Sequence, residues 1–341
     1  MTDSGTDGGD STPRVFRSGF AALIGRPNVG KSTLLNRLLG EKVAIVSPKP
    51  QTTRTKILGV INVPNGQIAF VDTPGVHQAK GALNAFMVDV AQGAAEDADV
   101  VLLVIEAEGL REDRTPEIGP GNKQILQRLQ RVGKPVILVI NKIDTVKKKL
   151  LLPMIAVWRE AFPFVDVLPI AAKTGEGVDA LRAVVLPLLP EGQPLYAEDV
   201  FTDQEERSLA SEFIREQVLR HTRQEIPYST AVVIEVFDET DRFTPPPERK
   251  TKKGGKAPTP PKGPRLTGLV RIHASVFVER ESQKAIIIGK QGQMLKTIGT
   301  DARHAIERLI GANVYLSLQI KVEPRWSERP DGLRKLGYTA T

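Results

Sequence analysis

Eight consecutive residues near the amino terminus, 25–32, have the types and spacing of a phosphate-binding loop. The run follows an apolar stretch over residues 19–25 and precedes a helical pattern, which is the context that such a loop requires. Its glycines allow backbone amides and the positive end of the helix to point at an anion. We therefore predict that a nucleotide is bound by Gly25, Arg26, Pro27, Asn28, Val29, Gly30, Lys31, Ser32 and Thr33.

Two side chains of this loop have specific predicted roles, and a second element complements them. Lys31 would reach the β- and γ-phosphates, and the Ser32 hydroxyl would bind Mg²⁺. The sequence Asp72-Thr73-Pro74-Gly75 follows the third apolar run, as a D-x-x-G element does. We expect Asp72 to hold Mg²⁺ through water and the amide of Gly75 to sense the γ-phosphate.

The base of the nucleotide is predicted from two later segments. Asn141-Lys142-Ile143-Asp144 ends the apolar run over 135–140, and Ala171-Ala172-Lys173 ends the next one. The Asp144 carboxylate can accept from two donors on guanine that adenine does not present, so adenine would leave it unpaired at a high cost. A backbone amide of the second segment can meet guanine O6. The sequence therefore predicts GTP and GDP as ligands.

Six short apolar runs between residues 17 and 190 must position these groups. They alternate with helix-length segments such as Lys31–Leu39, Asn122–Val132 and Val178–Leu189, a pattern typical of parallel α/β sheets. Pro64-Asn65-Gly66 joins the second and third runs and predicts one antiparallel hairpin. We predict an α/β nucleotide domain over 17–190 with a mostly parallel six-stranded sheet, followed by a linker over 191–203.

After the linker the predicted order changes to helix, strand, strand, helix, glycine turn, helix and strand. The turn is Gly289-Lys290-Gln291-Gly292, with apolar residues on both sides. The order and the turn resemble an α+β KH domain of type II, which we place at 204–325 with a tail over 326–341. The resemblance implies that RNA backbone approaches the turn closely. The predicted RNA contacts are Ile288, Gly289, Lys290, Gln291, Gly292, Lys284, Lys296 and Arg303.

The charge of the chain is concentrated in one segment. With 47 basic and 40 acidic residues the formal net charge is +7, and residues 243–266 alone hold seven basic residues and one acidic residue. Seven prolines predict a loop there. It is either a tolerated surface insertion or a mobile arm that binds phosphate groups.

Residues 1–16 are predicted to be a disordered tail. The absence of cysteine excludes disulfides, thiolate metal sites and a cysteine nucleophile.

The motifs GRPNVGKST, DTPG and NKID occur in this order, and the first half therefore resembles the translation-factor-related GTPases. The family usually has Ser where this chain has Ala171. The resemblance implies that Thr53, rather than Thr52, binds Mg²⁺ and the γ-phosphate. It also implies slow intrinsic hydrolysis, because Val76 occupies a position where many small GTPases carry a water-orienting Gln.

The same resemblance extends to the catalytic set, which we predict to be Lys31, Thr53, Gly75 and Asn28, with Ser32, Thr53 and Asp72 around the metal. Relatives use the position of Asn28 to help hold K⁺, so potassium activation is a further hypothesis.

A GTPase half followed by a KH half makes the chain similar to the Era GTPases from about Arg17 to Tyr338. The resemblance implies a GTP-dependent factor for assembly of the 30S ribosomal subunit that binds the single-stranded 3′ end of 16S rRNA. We expect a monomeric, cytoplasmic protein. Two alternatives stay open: a non-catalytic, GTP-dependent RNA-binding module, and a peripheral membrane or cell-cycle switch at the inner face of the cell membrane, whose basic loop would bind anionic lipid.

Overall fold

The computed structural model describes residues 15–47, 49, 51–76, 81–107, 110, 116–222, 226–243 and 268–339. The predicted tail over 1–16 lies outside the described residues except for its last two positions, and the predicted basic loop over 243–266 lies outside them except for Phe243. Pro50, close to the predicted Mg²⁺ ligand Thr53, also lies outside them. Within the described ranges, none of the helices combines the length and the apolar character needed to span a bilayer.

Six strands form the sheet of the first half, in the order β2-β3-β1-β4-β5-β6. Only β2 is antiparallel to its neighbour, β3, so the predicted mostly parallel sheet and its hairpin are confirmed. The strands are β1 (Arg17–Ile24), β2 (Ile57–Val63), β3 (Gly66–Asp72), β4 (Val100–Glu106), β5 (Val136–Asn141) and β6 (Asp166–Pro169).

Helices cover both faces of this sheet, which is why β5 is buried at every position and reads as an unbroken apolar run. The helices are α1 (Lys31–Leu39), α2 (Ala82–Asp97), α3 (Pro120–Val132), α4 (Leu151–Ala161) and α5 (Val178–Val185). The last was predicted to continue to Leu189. It passes instead into a short 3₁₀ turn over Leu186–Leu188, because Pro187 has no amide hydrogen with which to continue the helix.

The second half is a three-stranded sheet covered by helices, as predicted for the KH domain. It contains α6 (Glu206–His221), β7 (Ala231–Asp241), β8 (Leu269–Val278), α7 (Glu281–Ile288), α8 (Gln293–Ile310) and β9 (Asn313–Val322). Strand β8 is central, antiparallel to β7 and parallel to β9. The core of this half includes Phe213 and Ile214 from α6, Val276 from β8 and Ile306 from α8.

The end of the chain folds back onto the first half. Trp326 is fully buried, its ring stacks on that of Tyr338 with centroids 5.6 Å apart, and its indole N–H donates to the Ser229 carbonyl at 3.0 Å. A short helix, α9 (Pro330–Lys335), lies between these two aromatic residues. Leu83 and Met87 of α2 pack into the same cluster. The last residues are therefore integrated with the nucleotide half.

Candidate nucleotide site and RNA-binding turn

The predicted phosphate loop connects β1 to α1, and its curvature depends on glycine. Gly30 has φ +97°, and a Cβ at this position would lie 2.2 Å from the side-chain nitrogen of Asn141. The Nζ of Lys31 donates to the carbonyls of Gly25 and Arg26, each at 3.2 Å. The loop thus wraps around the lysine, and the first amides of α1 are directed toward its interior.

Asn141 joins three separate loops at the end of the sheet. Its amide nitrogen donates to the Val29 carbonyl at 2.8 Å, and its amide oxygen accepts from the Ala172 amide at 2.9 Å. The side chain is buried. Because the carboxyl ends of parallel strands share one edge, a residue at the end of β5 can reach both the loop after β6 and the phosphate loop after β1. The sequence predicted Asn141 as a site residue but not this bridging role.

Three side-chain oxygens predicted to surround the metal converge. Ser32 Oγ lies 2.6 Å from Asp72 Oδ2 and 2.8 Å from Thr53 Oγ1, and Thr53 Oγ1 donates to Asp72 Oδ2 at 2.9 Å. All three residues are buried. Of the two threonines considered, Thr53 has its hydroxyl in this cluster, whereas the carbonyl of Thr52 accepts a hydrogen bond from Arg215.

The cluster contains a buried carboxylate, that of Asp72, and a bound cation would stabilise its negative charge. Asp72 is fully buried, and among the described residues its Oδ1 has no hydrogen-bond partner. Burial raises the pKa of Asp72 and lowers the pKa of Lys31, while the attraction between the two charges opposes both shifts. Buried charges are stabilised by pairing or by metal coordination. The oxygen-rich set therefore fits Mg²⁺, which prefers hard oxygen ligands.

A cavity of about 690 Å³ adjoins this cluster. Its lining combines the phosphate loop, the segment around Thr53 and the D-x-x-G glycine; among others it includes Asn28, Gly30, Lys31, Ser32, Thr33, Thr53, Gly75, Glu106 and Lys142. A Cβ on Gly75 would lie 2.6 Å from the backbone of Pro27, so only glycine allows this approach. Val76 instead packs its side chain into the apolar core, with its amide donating to the Gly25 carbonyl at 3.0 Å.

The side of the site that is predicted to bind guanine is more exposed than the predicted metal cluster. Lys142 has φ +63° and pairs with Glu106 at 2.5 Å, while Asp144 is exposed on a short 3₁₀ turn. Arg37 of α1 donates to the carbonyls of Ala172 and Lys173, with 3.2 Å to the former. Arg37 therefore anchors the segment Ala171–Lys173. Sequence reasoning missed it, because nothing in the helical pattern distinguishes it from a solvated arginine.

The predicted RNA-binding turn connects α7 and α8. Gly289, Gln291 and Gly292 all have positive φ, at 72°, 51° and 75°, and a Cβ on Gly289 would meet the Met294 side chain at 2.6 Å. The side chains of Lys290 and Gln291 are exposed, and Ile288 is half-buried beside them. The turn therefore presents backbone and two polar side chains to solvent.

Three further cations were predicted to serve this turn, and the structure distributes them unevenly. Lys284 lies on α7, 4.0 Å from Glu281, and Lys296 is exposed in the first turns of α8. Arg303 is paired with Glu307 at 2.9 Å and lies 11 residues beyond Gly292, which corresponds to about 16 Å along a helix. It is therefore set apart from the turn.

The fold and the two sites define a P-loop GTPase followed by a KH domain. Accordingly, a family model described as 50S ribosome-binding GTPase matches residues 20–142, and a KH-domain model matches residues 262–327. GTPase Era of Geobacter metallireducens is 47% identical over 324 residues, covering 95% of this chain and 98% of the relative. GTPase Era of Geotalea uraniireducens is 45% identical over 96% and 99%. The chain belongs to the GTPase Era family.

Solved structures agree with this assignment. The structure of Era in complex with MgGDPNP and nucleotides 1506–1542 of 16S ribosomal RNA has a TM-score of 0.82 and 41% identity, and it covers 95% of this chain and 100% of that one. A variant of Aquifex aeolicus Era bound to GDP·AlF₄⁻ matches with the same score, identity and coverage. The predicted family and fold class are thus confirmed, including the KH half.

Proposed function

We propose that this chain binds GTP and GDP together with Mg²⁺, hydrolyses GTP, and binds the single-stranded 3′ region of 16S rRNA as a factor in 30S subunit assembly. The observation that carries the proposal is the buried cluster of Ser32, Thr53 and Asp72, with one carboxylate oxygen lacking a partner among the described residues, beside a nucleotide-sized cavity. Support for the RNA comes from the related Era structure that contains nucleotides 1506–1542.

In this mechanism the chain binds and orients the triphosphate. The Lys31 ammonium and the amides of the loop stabilise negative charge on the β- and γ-phosphates. Ser32, Thr53 and Asp72 would hold Mg²⁺, which supplies further charge stabilisation when it is bound. The amide of Gly75 meets the γ-phosphate, and Asp144 pairs with guanine. Loss of the γ-phosphate would release the segments that contain Thr53 and Gly75.

Hydrolysis is proposed to be slow in the absence of a partner. Val76 lies in the apolar core and has no group that could orient water, so this position cannot perform the task of a Gln. Asn28, which lines the cavity with φ +65°, is the proposed K⁺ contact. Turnover should therefore be faster in K⁺ than in Na⁺ at equal ionic strength, and equal rates would contradict the potassium proposal.

The RNA side of the proposal depends on the turn between α7 and α8. Its positive-φ backbone allows an RNA strand to approach the amides of Gly289–Gly292, while Ile288 offers an apolar contact. Lys284, Lys290 and Lys296 are the proposed phosphate contacts nearest the turn. Arg303 stays in the proposal as a contact to a more distant phosphate, and it must then exchange its pairing with Glu307.

Nucleotide titration and RNA crosslinking test these statements directly. The full-length protein should bind GTP and GDP much more tightly than ATP, and its single-turnover hydrolysis should accelerate with a 16S 3′-end oligonucleotide. Crosslinks should map to 288–296, and RNA affinity should differ between the GTP and GDP states. Equal affinity for ATP would refute the nucleotide assignment, and crosslinks confined to the first half would refute the RNA assignment. Binding without hydrolysis would favour the non-catalytic alternative.

Several broader predictions belong to the same proposal. We propose a monomer in the cytoplasm, with domains over 17–190 and 204–325, a linker over 191–203, and further segments over 1–16 and 326–341. Attachment to the inner face of the membrane would use the basic segment 243–266. A variant lacking 244–265 should then lose liposome retention while keeping RNA retention; the opposite result would assign that segment to RNA.

A further inference from the structure

The segment Gln51–Arg54, which carries Thr53, is held by the KH half of the molecule. Arg215 of α6 is buried and reaches across to this segment. Its guanidinium donates to the Thr52 carbonyl and lies 3.4 Å from the Gln51 carbonyl. Glu212, one turn earlier on the same helix, accepts from two nitrogens of this guanidinium at 2.9 and 2.6 Å. Arg215 is thus held in place by Glu212 of the KH half, and it binds backbone of the nucleotide half.

A second arginine makes the reciprocal connection from the other side of Thr53. Arg54 is buried and donates to the Thr230 carbonyl at 2.7 Å and to the Tyr338 hydroxyl at 3.0 Å. Its guanidinium carbon lies 5.6 Å from the ring centre of Trp326 and 5.7 Å from that of Tyr338. Cation–π contacts of a desolvated guanidinium are strong enough to stabilise such an arrangement. Arg54 thus belongs to the nucleotide half, and its side chain binds the KH half.

The two arginines bracket one functional hydroxyl. The carbonyl of Thr52 is bound by Arg215, the side chain of Arg54 is bound by the second half, and Thr53 lies between them with its hydroxyl on Ser32 and Asp72. Adjacent residues are only 3.8 Å apart, so a shift of either anchor moves the hydroxyl. Hydrogen bonds to charged, buried groups are the stronger ones, and their geometry is the more restrictive.

We propose that Arg215 and Arg54 are positioning residues for the GTPase centre, through which the KH half holds Thr53 in its place beside Ser32 and Asp72. This inference rests on the proposed function, in which Thr53 contacts Mg²⁺ and the γ-phosphate. Neither arginine lines the proposed nucleotide cavity. Each acts on Thr53 through the backbone, and movement of α6 therefore changes the affinity for GTP while leaving the affinity for GDP unchanged.

The test compares full-length variants in three measurements. Arg215→Gln removes the guanidinium, and Arg215→Lys keeps the charge without the fork that lets Glu212 hold it. Tyr338→Phe removes one acceptor of Arg54 and keeps the ring stack. Arg207→Gln is the matched control, because Arg207 lies on the same helix and, in the part of the chain that the structure describes, its side chain bonds within the KH half, to the Ile234 and Glu235 carbonyls. The measurements are Kd for a non-hydrolysable GTP analogue, Kd for GDP, and amide hydrogen exchange over 51–56.

Both Arg215 variants should weaken binding of the GTP analogue by about fivefold or more, the lower range of ordinary coupling between sites, with GDP affinity unchanged. Amide exchange over 51–56 should accelerate, the effect of Tyr338→Phe should be smaller but in the same direction, and Arg207→Gln should match the wild type. A parallel loss for both nucleotides would mean a general structural defect and would overturn the inference. Unchanged values would overturn it as well.

The exchange measurement separates this inference from the proposed function. If the wild-type protein bound no guanine nucleotide, the proposed function would fail. Faster exchange over 51–56 in the nucleotide-free Arg215→Gln variant would then still support the inference that Arg215 holds this segment in place. Unchanged exchange would refute it. Thermal unfolding of each variant identifies any that has lost its fold, in which case the Tyr338→Phe variant decides.

Discussion

The nucleotide site and the RNA-binding turn are built in opposite ways. The nucleotide site is buried, and its geometry depends on side chains far apart in sequence, such as Asn141 bridging to Val29 and Ala172. The turn at Gly289–Gly292 is local, exposed and determined by the φ angles of consecutive residues. The first should therefore respond to single substitutions cooperatively, since buried networks fail as units, whereas the second should lose affinity in small, separate steps.

The largest effect should come from the buried carboxylate. Asp72→Asn keeps the shape and removes the charge that pairs with Lys31 and with Mg²⁺. Because metal-ion stabilisation contributes several kcal/mol, single-turnover GTP hydrolysis should fall roughly 100-fold or more, while RNA affinity without nucleotide stays unchanged. Asp97→Asn, at an exposed position at the end of α2, should hydrolyse GTP normally. A loss below tenfold would show that the cluster is not the cooperative unit described.

Removal of the loop bridge should have the next largest effect. Asn141→Ala leaves the Val29 carbonyl and the Ala172 amide buried without their partner, at a cost of about 1–3 kcal/mol in the free energy of unfolding. Affinities for GTP and GDP should fall together, because the phosphate loop loosens for both. Urea unfolding and nucleotide titration measure this. Gln127→Ala, at an exposed position of α3, should change stability by less than about 0.5 kcal/mol. If Asn141→Ala were as stable as the control variant, the Asn141 bridge would contribute nothing to the free energy of unfolding.

In the turn, a matched glycine pair tests whether backbone shape matters more than composition. Gly289 and Gly292 both have positive φ, but only at Gly289 would a Cβ collide, 2.6 Å from Met294. Both substitutions carry the strain of a positive φ, and Gly289→Ala adds the collision, so Gly289→Ala should reduce RNA affinity about tenfold more than Gly292→Ala does. GTP affinity should be normal in both. Titration with a fluorescent 16S 3′-end oligonucleotide compares them, and the reverse order would contradict the geometry.

The smallest effect should come from an exposed cation. Lys290→Ala removes one phosphate contact, so RNA affinity should fall only a few fold and uniformly across sequences. The slope of log affinity against log salt should decrease by about 0.7 for a single strand. Arg303→Ala, which is farther away and paired with Glu307, should change that slope less. A larger change for Arg303 would place the RNA along α8 rather than at the turn.

Contiguous motifs explain why the positions and the local backbone shapes of the phosphate loop and of the turn could be predicted. Residues 25–32 and 289–292 act through backbone conformation within a few positions, so type and spacing were sufficient. The order of apolar runs also predicted the sheet and its antiparallel β2. One predicted boundary was wrong: α5 ends at Val185 rather than at Leu189, because Pro187 cannot continue a helix.

The remaining contacts join residues that no local pattern connects. Arg37, Arg54 and Arg215 look like ordinary charged positions in the sequence, yet each binds backbone carbonyls more than a hundred residues away. Packing of the two halves against each other decides the partners of Arg54 and Arg215, whereas the partners of Arg37 lie in the same half and are decided by the packing of α1 near the loop after β6. Arg303, predicted to be near the turn, lies about three helical turns along α8, because the helix advances about 1.5 Å per residue.

The stack of Trp326 on Tyr338 beneath Arg54 has a consequence for biosynthesis. Ribosomes deliver proteins from the amino terminus, and domains generally fold as they emerge. Here the phosphate loop leaves the exit tunnel early, but Tyr338, whose ring contacts Arg54, is translated 284 residues after that arginine. A nascent chain would thus carry the phosphate loop before Arg54 has the two aromatic rings that hold it in the folded protein.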